Sequence, residues 1–67
     1  MKIKLNNNTE NLAVESCTVS DLLKIKNFTF KMLIVKINGR LVKKEDFENS
    51  VISEGDDVIV LHLISGG

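Results

Sequence analysis

The residues that suggest chemistry stand at the end of the chain, Ser65-Gly66-Gly67. With glycine at about 7% of residues, two terminal glycines arise by chance in roughly 0.5% of chains. Without side chains, this segment is expected to act as a flexible lead that enters a channel too narrow for any Cβ and delivers the Gly67 carboxylate to another protein's active site. A carboxylate is ionised at neutral pH and has no leaving group, so an enzyme must activate it. Adenylation by ATP would supply that leaving group, and the acyl-adenylate could then pass to sulfur, a thiol or an amine. On this reading the chain has no catalytic residue of its own.

Two other side chains invite a chemical reading, and both resolve to structure. Cys17 is the only cysteine, which excludes an internal disulfide framework and a cysteine-rich zinc site. No histidine or basic residue adjoins it to lower its pKa, and its place just before Thr18-Val19-Ser20-Asp21 makes it the apolar residue of a hydrophobic staple against Leu22. His62 lacks the acidic or cysteine neighbours of a metal site. No metal is expected.

The segment leading into the glycines is Val58 to Ile64, apolar at nearly every position. Side chains alternate across a strand, so if Val58 and Val60 face a covering helix, Ile59, Leu61 and Leu63 face away from it. One helix covers one face of a sheet. Ile59, Leu61 and Leu63, with Ile34 beside them, are therefore expected to form an exposed apolar patch for a protein partner.

The remaining elements must hold that strand. Met1 to Leu5 alternates as a half-buried strand, and Asn6-Asn7-Asn8 suits a hairpin into a second strand over Glu10 to Glu15, with Leu12 and Val14 facing the core. Thr18 and Asp21 form a capping box for a short helix ending near Asn27, whose apolar face is Val19, Leu22 and Leu23. Met32 to Ile37 reads as a third strand, Asn38-Gly39 as a type I′ turn, and Leu41-Val42 as a short returning edge strand. Phe47 plugs a polar loop onto the core, and Glu54 to Asp57 is a turn. The economical assembly is α+β. It is a mixed sheet of about five strands, the first and last parallel and central, with one helix packed across one face: a β-grasp.

Composition agrees with this reading. Sixty-seven residues, 43% hydrophobic and 27% charged, fit one small domain spanning 1–67 with a flexible tail at 65–67. The longest uncharged stretch, Val58 to Gly67, is half of a bilayer span, and Met1-Lys2-Ile3-Lys4 lacks a signal-peptide apolar run, so a cytoplasmic location with no membrane partner is expected. Zero net charge argues against nucleic acid. The charge is split, however. Residues 1–44 hold all nine basic side chains against three acids, and residues 45–67 hold six acids and no base. The acidic half is expected to steer the protein towards basic partner surfaces, diluted by Lys2 and Lys4 if the end strands are neighbours.

Taken together, Met1-Lys2-Ile3, the capped helix Thr18 to Leu23, the hairpin Ile37-Asn38-Gly39-Arg40-Leu41-Val42, the turn Glu54-Gly55-Asp56-Asp57-Val58 and the Gly66-Gly67 end resemble the ThiS family of thiamin-biosynthesis sulfur carriers over the whole chain. The family commonly has arginine near Lys44 and tryptophan near Phe47, so this chain keeps the charge and the aromatic character at those places. The resemblance implies a ubiquitin-like β-grasp carrier, monomeric and not itself an enzyme. Its Gly67 carboxylate would be adenylated by an E1-like, ThiF-like adenylyltransferase using ATP and Mg. The product would become a thiocarboxylate with sulfur from a cysteine desulfurase relay or related donor, for use by a ThiG-like thiazole synthase. Three alternatives stay open at this point: the small subunit of molybdopterin synthase, a ubiquitin-like protein modifier, and a β-grasp interaction module with an inert tail.

Overall fold

Lys2–Leu5 forms β1, with Ile3 and Leu5 buried and Lys2 and Lys4 exposed. The structure, a computed structural model, describes residues 1–29 and 32–62. Leu63, Ile64, Ser65, Gly66 and Gly67 lie outside the described residues, as do Phe30 and Lys31. Asn6 and Asn7 take φ of 50° and 69°, the left-handed region that asparagine tolerates and a two-residue hairpin requires. β2 (Asn8–Asn11) returns antiparallel, from Leu5↔Asn8 to Lys2↔Asn11. The second strand thus lies earlier than the Glu10 to Glu15 expected. A tight turn fixes its register; the ladder runs to Lys2↔Asn11, and just beyond it the Leu12 N–H donates to the Met1 carbonyl at 2.8 Å while the Met1 ammonium donates to the Leu12 carbonyl at 2.6 Å. Leu12 is buried as expected; Val14 is not a core residue, because the chain has left the sheet and exposes it.

β3 (Cys17–Thr18) leads directly into α1 (Val19–Ile25). The capping box forms as the sequence predicts: the Asp21 N–H donates to Thr18 Oγ1 at 3.1 Å, and the Thr18 N–H donates to Asp21 Oδ2 at 3.2 Å. At the other end Asn27, at φ 57°, closes a Schellman motif, with the Phe28 N–H on the Leu23 carbonyl and the Asn27 N–H on that of Lys24. Val19 and Leu22 point fully into the core and Leu23 is half-buried. Just past the helix, Lys26 Nζ meets Glu10 Oε1 at 2.6 Å, tying the helix end to β2.

β4 (Leu33–Ile37) and β5 (Arg40–Val42) are joined by Asn38 and Gly39 at φ 51° and 83°, the type I′ turn expected. A 3₁₀ turn over Lys44–Asp46 follows, and Phe47 is half-buried against the core. The Phe47 carbonyl accepts the Ser20 N–H at 3.0 Å, holding this segment to the first turn of α1. β6 (Val51–Ile52) pairs antiparallel with β3 in a second, two-stranded sheet, an addition to the single sheet expected from the sequence. Gly55, at φ 85°, turns the chain into β7 (Asp57–His62).

The main sheet has the order β2-β1-β7-β4-β5. β7 runs parallel to β1 and antiparallel to β4, so the first and last strands are adjacent and β7 is central. Val19, Leu22, Val35, Ile52 and Val58 are fully buried between sheet and helix. At about 1.5–3 kcal/mol for each such aliphatic side chain, this layer is what fixes the strand carrying the tail.

Candidate functional site

The site is built on the sheet face that α1 leaves uncovered. Along β7, Val58 and Val60 are 0% and 7% exposed, Ile59 is half-buried, and Leu61 is 49% exposed, which is the alternation expected. Ladder register then places the neighbours. Ile34 lies opposite Leu61 and Lys36 opposite Ile59, so Ile34, Ile59 and Leu61 share the open face; Leu63 falls outside the described residues. Leu41, opposite Lys36 on β5 and 61% exposed, is a fourth apolar member that the sequence reading missed. Its signal was present. The two-residue Asn38-Gly39 turn forces Ile37 against Arg40, and the next pair on the ladder is Lys36 with Leu41.

The charge around this patch differs from the expectation. Lys2, Lys4 and Lys36 alternate out of β1 and β4 onto the open face, where the strands contribute one acid, Asp57, directly beside Lys4. Glu45, Asp46 and Glu48 belong to the segment held against the start of α1, on the opposite layer. Segregation along the sequence is therefore not carried into the sheet. Among the described strand residues the face with the apolar patch shows three lysines and one acid, because strand alternation rather than sequence half decides which charges it shows.

The start of β7 is fixed by the turn beside it. The Asn38 side chain accepts the Asp57 N–H at 2.9 Å and donates to Asp56 Oδ1 at 3.1 Å, while the Asn38 N–H reaches the Asp57 carbonyl at 2.7 Å. Asp56 in turn accepts the Ser53 N–H at 2.9 Å. Four hydrogen bonds thus pin the start of the strand that carries Ile59 and Leu61.

Among the described residues, no group of three or more His, Cys, Asp or Glu residues is placed to hold a metal ion. Cys17 is a free, buried thiol, and burial first and the Asp21 carboxylate second push its pKa up, against a smaller opposing effect of the Met1 ammonium. A nucleophile needs the reverse. The open cleft of about 510 Å³ beside β5 holds one base, Arg40, one acid, Asp46, and no cysteine or histidine. No helix among the described residues is long and apolar enough to cross a membrane.

A mixed five-stranded sheet with adjacent parallel end strands, one helix across one face and an apolar patch on the other defines a ubiquitin-like β-grasp protein. The chain belongs to the ThiS family, whose sequence model matches residues 3–67. It is similar to the crystal structure of the thiamine biosynthesis protein ThiS from Geobacter metallireducens, at 26% identity and a TM-score of 0.89, with 100% of both chains covered. It is likewise similar to the NMR solution structure of a thiamine biosynthesis protein from Geobacter metallireducens, at 26% identity and a TM-score of 0.82, covering 100% of this chain and 88% of the other. Comparison with curated protein sequences gives no significant match. Family membership assigns the chain a sulfur-carrier role in thiamine biosynthesis, working with enzymes of that pathway.

Proposed function

We propose that the Gly67 carboxylate is the group that carries sulfur, and that Ser65 and Gly66 form the lead that takes it into partner active sites. A carboxylate oxygen attacks the α-phosphorus of ATP, supplied with Mg by an E1-like adenylyltransferase, and pyrophosphate leaves. A persulfide sulfur on a donor protein, such as a cysteine desulfurase relay, then attacks the acyl carbon and expels AMP, leaving an acyl disulfide. A thiol attacks the donor-side sulfur of that bond, forming a disulfide with the donor and releasing the thiocarboxylate that supplies thiazole synthase. The carrier is a co-substrate in each step and every catalytic group belongs to a partner.

The observation that carries this reading is the continuity between platform and tail. β7 displays Ile59 and Leu61 on the open face beside Ile34, and its last described residue, His62, stands five positions before Gly67. Five residues span at most about 18 Å, so a partner that grips the face has its adenylation site within that reach. Ile34, Leu41, Ile59 and Leu61 form the apolar part of the docking surface, with Lys36 between Ile59 and Leu41 and Lys4 at the border, and Leu63 is proposed as a further contact on the sequence alternation alone. The activating enzyme therefore presents an apolar socket with acidic residues near its edge. Use of ATP supports a cytoplasmic location, and docking through the open face needs that face free of a second copy, which supports a monomeric carrier.

Intact-mass measurement after incubation with ATP, the activating enzyme and a sulfur donor tests the assignment. Replacement of oxygen by sulfur at the C-terminus adds about 16 Da and supports the carrier. Diglycine branches on lysines of other proteins, with no thiocarboxylate, would instead make the chain a modifier.

A further inference from the structure

At the end of β1 one side chain does the work of a missing strand. The parallel ladder between β1 and β7 advances two residues at a time on each strand: the Lys4 N–H donates to the Asp56 carbonyl, and the Asn6 N–H donates to the Val58 carbonyl, both at 2.9 Å. The next bond of such a ladder joins the Val60 N–H to the backbone carbonyl of Asn6. That carbonyl is not available in the required direction, because the chain turns at Asn6 with φ at 50°. The Asn6 side chain takes its place. Its Oδ1 accepts the Val60 N–H at 2.8 Å, across 54 positions of sequence.

The location of this bond matters more than its number. β7 has β4 beside it as far as His62, but it has β1 beside it only as far as Val58. The Asn6 carboxamide extends the two-sided grip to Val60, between Ile59 and Leu61 of the docking face and at the base of the segment leading to Gly67. Val60 is 7% exposed, so without Asn6 its N–H has little access to water as a substitute partner. The strand would satisfy it only by shifting or opening at that point.

We infer that Asn6 is a positioning residue: by holding Val60 it fixes the direction in which β7 delivers the C-terminal segment while Ile34, Ile59 and Leu61 are docked. This rests on the sulfur-carrier reading above. The recognition face and the end of β7 at Val60 then keep one relative geometry, so the segment leading to Gly67 starts from a docked carrier without a search over strand orientations. Substitution at Asn6 acts after docking, on turnover and not on affinity.

The test compares the wild-type chain with Asn6→Gly and Asn6→Asp. Glycine keeps the positive φ and the backbone N–H to Val58 but removes the acceptor; aspartate restores an acceptor oxygen. Hydrogen exchange measures the Val60 amide, with the Val35 amide as the core reference, and steady-state kinetics measure acyl-adenylate formation by the activating enzyme. Asn6→Gly is expected to speed Val60 exchange at least 10-fold with Val35 unchanged, and to lower kcat about 3- to 10-fold at unchanged KM; Asn6→Asp is expected to restore both. An unchanged Val60 exchange rate, or faster exchange with kcat intact, overturns the inference. Failure of the wild-type chain to form an acyl-adenylate would count against the carrier reading itself, while the exchange measurement still judges the Asn6 anchor alone.

Discussion

Ile34 of β4 and Leu61 of β7 stand directly opposite one another on the sheet face turned away from α1. The pair is open to a partner because the core is built from the residues that flank it in sequence, Val35 and Val60, which are buried under the helix. Leu61→Glu is therefore expected to weaken use by the activating enzyme at least 10-fold through KM, while the stability change stays within about 1 kcal/mol, as for other surface sites. Thermal melting beside the kinetics checks this. A collapse of the melting temperature would mean that Leu61 is a core residue and the face assignment is reversed.

Charge on the same face gives a second prediction. Lys36 lies between Ile59 and Leu41 on the ladder, so a partner that covers them must meet its ammonium group. Lys36→Glu is expected to raise KM and flatten its dependence on salt, whereas Glu48→Lys, in the segment packed towards α1, should leave both alone. Equal effects of the two substitutions would show that net charge, and not the open face, governs association.

The hairpins and the helix cap were legible in the sequence because their signals are local. Asn38-Gly39 has to adopt positive φ in a two-residue loop, and Thr18 with Asp21 has to satisfy the first amides of a helix, whatever the rest of the chain does. Alternation along β7 was equally local, and it separated Val58 and Val60 from Ile59 and Leu61. What escaped notice depends on distant partners. The β3 and β6 ladder has two residues on each side, too few to show a period. Val14 looked like a strand residue until the register with β1 ended at Asn11. Asn6 read as a turn former, since nothing near it in sequence points to Val60.

Two substitutions probe what holds the platform. Leu22 is fully buried beneath the sheet, so Leu22→Ala should cost about 2–5 kcal/mol, a large part of the stability of so small a domain. Thr18→Ala removes the side-chain half of the capping box and should cost about 1 kcal/mol. Urea titration measures both, and a smaller loss for Leu22→Ala than for Thr18→Ala would contradict the packing described.

Cys17 supplies a pH signature. Burial raises its pKa in the folded state above its ordinary value of 9.0, so the folded chain holds this proton more tightly than the unfolded one. The stability this represents is fully present below the unfolded pKa and is lost as pH rises through the folded pKa. Unfolding free energy should thus fall on the alkaline side of about pH 9, and Cys17→Ala should fall less over the same range. Parallel curves for the two proteins would remove Cys17 as the cause.

The central claim concerns the last residue. Pyrophosphate release from ATP by the activating enzyme, measured with the intact chain, with the chain lacking Gly67, and with one residue added after Gly67, tests it most directly. The account predicts release with the intact chain alone, with all three proteins showing the same thermal unfolding. Release that persists without Gly67, or none with the intact chain, contradicts it.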